Sequence, residues 1–276
     1  MTPAPGRHTQ GYVPVDHGHL FYERTGMGPS VVFVHAGVAD RTMWRPQVEA
    51  LCPAYDVVVF DSRGYGLSLS DPVEFSPVDD LVALLDQLEL ERPVLAGCSR
   101  GAGHCLDFAM QWPERTAGLV CVSATLSGLD FQPSPEEEAL FAQVKEAYQA
   151  RDWNAAAELE TRVWLDGPAA PEGRVEPPVR GGVSAMIQRV RSSPRDDVQP
   201  RPPAQPAAKN LGQVQCPTLV VVGALDTPYV RKTADVLGAE IRTVERVDFL
   251  DSAHLPNLEH PQRFNDALAS FLERIV

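Results

Sequence analysis

Several features that mark particular classes of protein are missing from this chain of 276 residues. No run of about 18 apolar residues occurs, which argues against a membrane-spanning helix. Basic residues number 24 against 37 acidic ones, which gives a formal charge of −13. Nucleic-acid binding depends on basic patches that neutralise phosphates. We therefore predict neither a membrane partner nor a nucleic-acid partner.

Cysteine is also scarce, and its 5 copies have no paired spacing that would indicate a disulfide framework or a zinc site. Residues 1–8 contain no apolar leader-like segment. Free thiols in a reducing compartment fit this pattern, so we expect a cytoplasmic location. Because no His, Cys, Asp and Glu cluster has metal-ligand spacing and no glycine-rich loop resembles a phosphate site, we predict no metal and no cofactor. The oligomeric state stays open.

What the sequence does contain is an alternation of strand-like and helical segments, in its first 125 residues and again after residue 208. This alternation predicts an α/β fold with a parallel, helix-covered sheet. Residues 126–208 are helical in pattern, with proline-rich connections at 167–182 and 192–206 in which we predict no strand. We predict one α/β core from residues 1–125 and 209–276, with a helical cap inserted at 126–208.

The most informative segment is Gly97-Cys98-Ser99-Arg100-Gly101, which lies between a β-prone run and a helical pattern. A Gly-x-Ser-x-Gly turn between strand and helix is what a nucleophile elbow requires. Side chains two residues to either side of the serine would collide with the crossing backbone, which explains both glycines. We predict Ser99 as a nucleophile and expect the Cys98 side chain to point into the core.

A serine hydroxyl needs a general base, and the base needs an orienting carboxylate. Asp226 follows an apolar strand-like run, and His254 lies in the loop after the next one. Because the carboxyl ends of parallel strands share one rim of the sheet, we expect Ser99, Asp226 and His254 to converge. The order serine, acid, histidine accompanies this elbow. Asp248 and Asp251 compete with Asp226, but they precede His254 too closely to reach its far nitrogen easily.

Two further parts of a site follow from the same reading. A strand-like run ends in His35-Ala36-Gly37, and the backbone N–H groups of Gly37 and Arg100 are placed to form an oxyanion hole. We expect the Arg100 side chain to crowd or charge the pocket. Among the aromatic residues, we predict that Trp44 and Trp164 line the substrate pocket.

Four motifs in this order resemble those of the α/β-hydrolase superfamily, in the esterase- and lactonase-like branch with a helical lid after the sixth strand. Along the chain they are the His-x-Gly loop at 35–44, the Asp-x-Arg-Gly-x-Gly-x-Ser loop at 61–68, the elbow at 97–101 and the histidine loop at 253–261. The resemblance implies a mostly parallel eight-stranded sheet flanked by helices, with a helical cap. It also implies the oxyanion role for the residue two after the first histidine, here Gly37.

The chain departs from the commoner pattern of this family at Ala36, where glycine is usual, and at Arg100, where an apolar residue is frequent. A serine nucleophile, rather than aspartate, implies acyl transfer and disfavours the dehalogenase and epoxide-hydrolase members. We therefore predict a serine hydrolase that cleaves a small-molecule carboxylic ester through an acyl-enzyme intermediate. The alternatives are a lactonase, a thioesterase or a C–C bond hydrolase on the same triad, and a non-catalytic receptor for a small ligand.

Overall fold

The computed structural model describes residues 8–171, 173–193 and 198–276. Residues 1–7, where we predict no leader-like segment, lie outside the described part, as do residue 172 of the first proline-rich connection and residues 194–197 of the second. The strands are β1 His8–Val15, β2 Gly18–Thr25, β3 Ser30–Val34, β4 Asp56–Phe60, β5 Leu69–Ser70, β6 Glu74–Phe75, β7 Val94–Cys98, β8 Gly118–Val122, β9 Gln199–Pro200, β10 Thr218–Gly223 and β11 Val244–Phe249. The α-helices are α1 Arg45–Leu51, α2 Pro77–Gln87, α3 Arg100–Gln111, α4 Pro135–Gln149, α5 Trp153–Thr161, α6 Pro177–Ser192, α7 Pro228–Glu240, α8 Pro256–Glu259 and α9 Pro261–Ile275.

One large sheet carries the strand order β1-β2-β4-β3-β7-β8-β10-β11, and β5 adds a short ninth strand beside β2. The β1–β2 hairpin and the β2–β4 pair are antiparallel, whereas every pair from β4 to β11 is parallel. Strands β4, β7, β8 and β10 are buried along their whole length. Such continuous apolar strands are typical of parallel sheets covered on both faces. The predicted fold class is confirmed.

Alternate residues of each central strand enter two separate cores. Val32 and Val34 of β3 pack with α2, α3 and α7 on one face of the sheet. Val31 and Phe33 pack with α1 and α9 on the other face. This alternation follows from the two-residue period of a strand. Both faces of the sheet are therefore covered by helices, and its carboxyl edge is left to carry the site.

Helices α4, α5 and α6 lie between β8 and β10, and a π-helical turn, Arg162–Asp166, follows α5 directly. Our prediction that no strand forms at 192–206 is wrong, because β9 pairs in parallel with β6. The N–H groups of Gln199 and Arg201 donate to the carbonyls of Val73 and Phe75. Pro200 sits between these donors, so the N–H that it lacks is not needed.

Ion pairs fix this inserted segment on the core. Arg189 of α6 lies 2.7 Å from the carboxylate of Asp40. Burial acts to raise the pKa of Asp40, but hydrogen bonds from Thr42 and Arg189 outweigh it and hold that pKa below its ordinary value. Arg174 lies 2.6 Å from the carboxylate of Glu259, which comes shortly after His254. In the described part of the chain, no helix is long and apolar enough to cross a membrane.

Candidate active site

The turn from β7 into α3 has the geometry of a nucleophile elbow. Ser99 takes φ 54° and ψ −119°, a backbone conformation that is strained for any residue except glycine. A Cβ atom at Gly97 would lie 2.4 Å from backbone atoms of Gly101 and Ala102, and one at Gly101 would lie 2.4 Å from the carbonyl oxygen of Val34. The steric prediction for both glycines is confirmed.

At the same rim of the sheet, Asp226 and His254 form a buried pair. Oδ2 of Asp226 lies 2.7 Å from Nδ1 of His254, and the two residues are 3% and 2% exposed. The Thr227 N–H donates to the other carboxylate oxygen at 2.7 Å, so the acid is held by the start of α7. When Nδ1–H donates to the carboxylate, Nε2 of the neutral ring is left as a proton acceptor. The competing carboxylates, Asp248 and Asp251, pair instead with arginines.

Ser99 and His254 line one cavity of about 320 Å³. Its other walls are mostly apolar and come from the loops after β8 and β10 and from the inserted helices: Thr125, Phe131, Pro133, Glu137, Phe141, Trp164, Thr227, Tyr229 and Val230. The Trp164 ring lies 4.6 Å from the His254 ring, centroid to centroid, and its carbonyl accepts the His254 N–H at 3.0 Å. The π-helical turn thus places Trp164 directly against the imidazole, a setting in which such turns are often found.

Trp44 is not where we predicted it. Its side chain is fully buried, 4.7 Å from the Phe33 ring and 6.4 Å from the Phe264 ring. These neighbours belong to the core on the α1 and α9 side of the sheet. Trp44 is therefore a core residue, because the short helical turn Arg41–Trp44, after the loop that carries Gly37, directs its ring into this core rather than into the cavity.

The two predicted oxyanion donors lie on either side of a side-chain link. Gly37 lies in the loop after β3 and Arg100 is the first residue of α3, so the backbone N–H groups of both lie where a strand or helix supplies no partner. The Tyr65 hydroxyl donates to the Gly37 carbonyl at 3.2 Å and accepts from Nη1 of Arg100 at 2.9 Å. The Arg100 guanidinium lies 4.3 Å from the centre of the Tyr65 ring. Arg100 thereby braces the loop that carries the other donor.

Sequence reasoning missed this link and part of the cavity wall. Tyr65 belongs to the motif at 61–68, which assigns it no role of its own, and no spacing in the sequence connects it to Arg100, 35 positions later. Phe131 and Phe141 line the cavity, although aromatic residues at helical spacing are more often core. Their position depends on how the inserted helices pack, which no local pattern reports.

Other reactive groups near the site are enclosed. Burial raises the pKa of the Cys98 thiol well above its ordinary value, and the side chain is fully buried. This agrees with our expectation that Cys98 points into the core. Across the residues that the structure describes, no group of three or more His, Cys, Asp or Glu side chains is arranged to hold a metal ion.

The sequence of residues 31–267 matches the model of the alpha/beta hydrolase family. The chain belongs to this family. The RutD protein of Caulobacter sp. (strain K31), a candidate carbamate hydrolase, is 37% identical over 92% of this chain and 95% of its own. The 3-oxoadipate enol-lactonase 2 of Acinetobacter baylyi is 25% identical over 89% of each chain. A thermophilic esterase from Thermogutta terrifontis superposes with a TM-score of 0.73, with 27% identity over 98% of this chain and 99% of its own.

These relatives share hydrolytic chemistry but differ in the bond that they cleave. Their names describe a lactone, a carbamate and an ester as substrates. Membership of this α/β-hydrolase family supports hydrolysis of a small molecule by this chain.

Proposed function

We propose that this protein is a serine hydrolase that cleaves a carboxylic ester through an acyl-enzyme intermediate. The observation that carries the proposal is the 2.7 Å contact between His254 Nδ1 and Asp226 Oδ2, in a ring that lines the same cavity as Ser99. The strained backbone of Ser99 supports its role, since strain at a turn of this kind accompanies function. Ser99 is then the nucleophile, His254 the base and Asp226 the orienting acid.

The reaction proceeds in two halves. Ser99 Oγ attacks the ester carbonyl carbon while Nε2 of His254 takes the hydroxyl proton, and the carbonyl oxygen becomes an oxyanion. The N–H groups of Gly37 and Arg100 stabilise this charge, and each such donor contributes roughly 10²–10³ in rate. The tetrahedral intermediate then expels the alcohol, which receives its proton from His254.

Water completes the cycle. It attacks the acyl carbon, gives a proton to His254, and the second intermediate releases the acid and restores Ser99 Oγ with that proton. Asp226 fixes the tautomer of the ring and stabilises the imidazolium that forms in each half. The largely apolar wall with Phe131, Phe141 and Trp164 favours an apolar group next to the reacting carbonyl.

We also propose that the chain is divided into a catalytic core and a cap. The segment 126–208, with α4 to α6, is the cap, and residues 1–125 and 209–276 form the catalytic core. Trp164 and Phe141 of the cap line the cavity, so the cap selects the substrate. Lactone hydrolysis is the second candidate function, favoured by the enol-lactonase that is 25% identical over 89% of this chain. A lactone undergoes the same two halves, with the alcohol retained in the acyl group.

The test compares wild type with Ser99→Ala on p-nitrophenyl esters from acetate to long-chain acyl groups. We expect ester hydrolysis that peaks at one chain length and falls by several orders of magnitude in the variant. Ser70→Ala serves as the matched control, since Ser70 lies on the short strand β5 outside the cavity, and should keep the wild-type rate. Undiminished turnover by folded Ser99→Ala contradicts the assignment. Stabilisation by a small ligand without any turnover supports the receptor alternative instead.

A further inference from the structure

A second cavity, of about 490 Å³, adjoins the one that contains Ser99. The two cavities share Thr125 and Tyr229 as common wall. One face of helix α3 lines the second cavity with four polar side chains: Arg100, His104, Asp107 and Gln111. We call this space, bounded further by residues 76–79 and 200–204, the arginine chamber. The proposed reaction uses none of these side chains to transfer a proton or form a bond.

The Arg100 guanidinium is fixed on one edge and unpaired on another. Tyr65 covers its face at 4.3 Å and accepts a hydrogen bond from Nη1. Nε and Nη2 are buried and have no hydrogen-bond partner among the described residues. These two nitrogens form the side edge of the guanidinium, whose parallel N–H groups bind a carboxylate with two hydrogen bonds. Buried N–H donors without a partner are costly, and a carboxylate from a ligand removes that cost.

The far end of the chamber is acidic, in contrast to the end that contains Arg100. Asp107 is 8% exposed, and its Oδ1 lacks a hydrogen-bond partner within the described part of the chain. It lies seven residues after Arg100 on α3, which is about 10 Å along the helix axis. Burial raises the pKa of Asp107 to about 6, so the group is mostly ionised at pH 7.5. A second anion at this end is repelled, whereas a hydroxyl or amine donor is accepted.

The net charge of −13 makes a bound anion unfavourable unless a local cation compensates for it. Burial and the nearby Arg100 lower the pKa of His104 far below its ordinary value, so His104 is neutral and supplies no positive charge. On the α3 face of the chamber, therefore, Arg100 is the positive group, next in sequence to the nucleophile.

We propose that the arginine chamber binds a single carboxylate carried by the substrate, with Arg100 as its partner. This rests on the proposed function: one half of the ester lies in the apolar cavity of Ser99, and the half with the carboxylate lies in the chamber. Thr125, at the boundary between the two spaces, contacts the Ser99 carbonyl oxygen through its hydroxyl at 3.4 Å. Arg100 thus determines specificity in addition to supplying a backbone N–H to the oxyanion.

Two matched pairs of esters test the inference and identify which half of the substrate carries the charge. On the acyl side, the monoester of adipic acid with 4-nitrophenol is compared with its neutral carboxamide analogue. On the alcohol side, the butyrate ester of 4-hydroxybenzoate is compared with that of 4-hydroxybenzamide. For each pair, kcat/KM of the charged ester is divided by that of the neutral one. This ratio cancels any effect of a variant on the chemical step that both esters share.

In wild type we expect a ratio of about 10 to 100 in one pair, as for a charge-assisted hydrogen-bonded contact. Arg100→Met removes the guanidinium and should bring that ratio close to 1. Arg100→Lys keeps the charge without the two-pronged edge and should give an intermediate ratio. Arg242→Gln is the matched control, because Arg242 is an exposed arginine that lines neither cavity, and it should keep the wild-type ratio within about twofold.

The inference is overturned if both wild-type ratios are at or below 1, or if the high ratio survives in Arg100→Met. In both of these outcomes, hydrolysis of the neutral esters by wild type still supports the proposed function. If wild type hydrolyses none of the four esters and none of the simple p-nitrophenyl series, the proposed function itself is rejected. Circular dichroism of each variant verifies that a lost ratio does not come from a lost fold.

Discussion

The backbone strain at Ser99 leads to a prediction that separates stability from activity. Replacing Ser99 by alanine or by glycine removes the nucleophile in both cases, so both variants should be inactive. Only glycine also removes the steric conflict of a side chain at φ 54° and ψ −119°. Because the hydroxyl is absent from both variants, the difference between them measures the strain alone.

The size of this difference follows from two opposing effects. A non-glycine residue in a sparsely populated conformation of this kind is destabilised by about 1–3 kcal/mol. Glycine loses about 0.4–1 kcal/mol because it gains conformational freedom in the unfolded chain. We therefore expect Ser99→Gly to be more stable than Ser99→Ala by about 0.5–2 kcal/mol, which raises Tm by about 1–5 °C in a domain of this size.

Urea denaturation and thermal unfolding of the two variants provide the measurement, with circular dichroism as the signal. The same pair of substitutions at Ser70, in strand β5, is the control. At that strand position glycine should be the less stable of the two, because it loses more backbone freedom on folding. If Ser99→Gly is instead less stable than Ser99→Ala, the elbow is not strained and this part of the argument for Ser99 fails.

Three further predictions concern neighbouring groups. Asp226→Asn should lower kcat by about 10⁴ with little change in Tm, since the ring of His254 then adopts the wrong tautomer; a smaller loss than tenfold contradicts the pairing. Tyr65→Phe should lower kcat by about 2- to 10-fold at constant KM, because the hydrogen bond that steadies Gly37 is lost. Burial raises the pKa of Asp107 from 3.8 to about 6, so between these pH values the folded state binds more protons than the unfolded state. The free energy of unfolding should therefore fall by about 2–3 kcal/mol as the pH rises through this range. Asp107→Asn should abolish that fall, which urea titrations at pH 4.5 and pH 7.5 measure directly.

Much of the core could be predicted because its strands carry their own signal. The run Thr218–Gly223 is apolar at nearly every position and is followed by a helix that starts with a proline. Its place in a parallel sheet can therefore be predicted from the local sequence alone. Strand β9 offers no such signal. It consists of Gln199 and Pro200 and exists because Glu74 and Phe75, far away in the chain, present free backbone groups at the right place. Pairings of that kind depend on the assembled fold.

The candidate site also contains residues whose positions the local sequence predicts and residues whose positions it does not. Ser99 sits in a motif whose two glycines are required by contacts a few ångströms away, and those contacts are confirmed. The sequence does not distinguish Trp44 from Trp164, yet the first packs against Phe33 in the core and the second against His254 in the cavity. What distinguishes them is which element packs over each ring, and this is decided by tertiary structure.

From the environment of His254 we predict that the proposed cap contributes to rate as well as to selectivity. From the core, Asp226 holds Nδ1; from the cap, the Trp164 carbonyl holds the backbone N–H of the same residue at 3.0 Å. Arg174, also from the inserted segment, pairs with Glu259, whose Oε1 accepts hydrogen bonds from Ser252 and from the residue before His254. In the proposed mechanism His254 is the base, and we expect it to keep its orientation only while the proposed cap is packed on the core. Substitutions that loosen the cap should therefore reduce kcat for every substrate, whereas substitutions in the cavity wall should change the ranking of substrates.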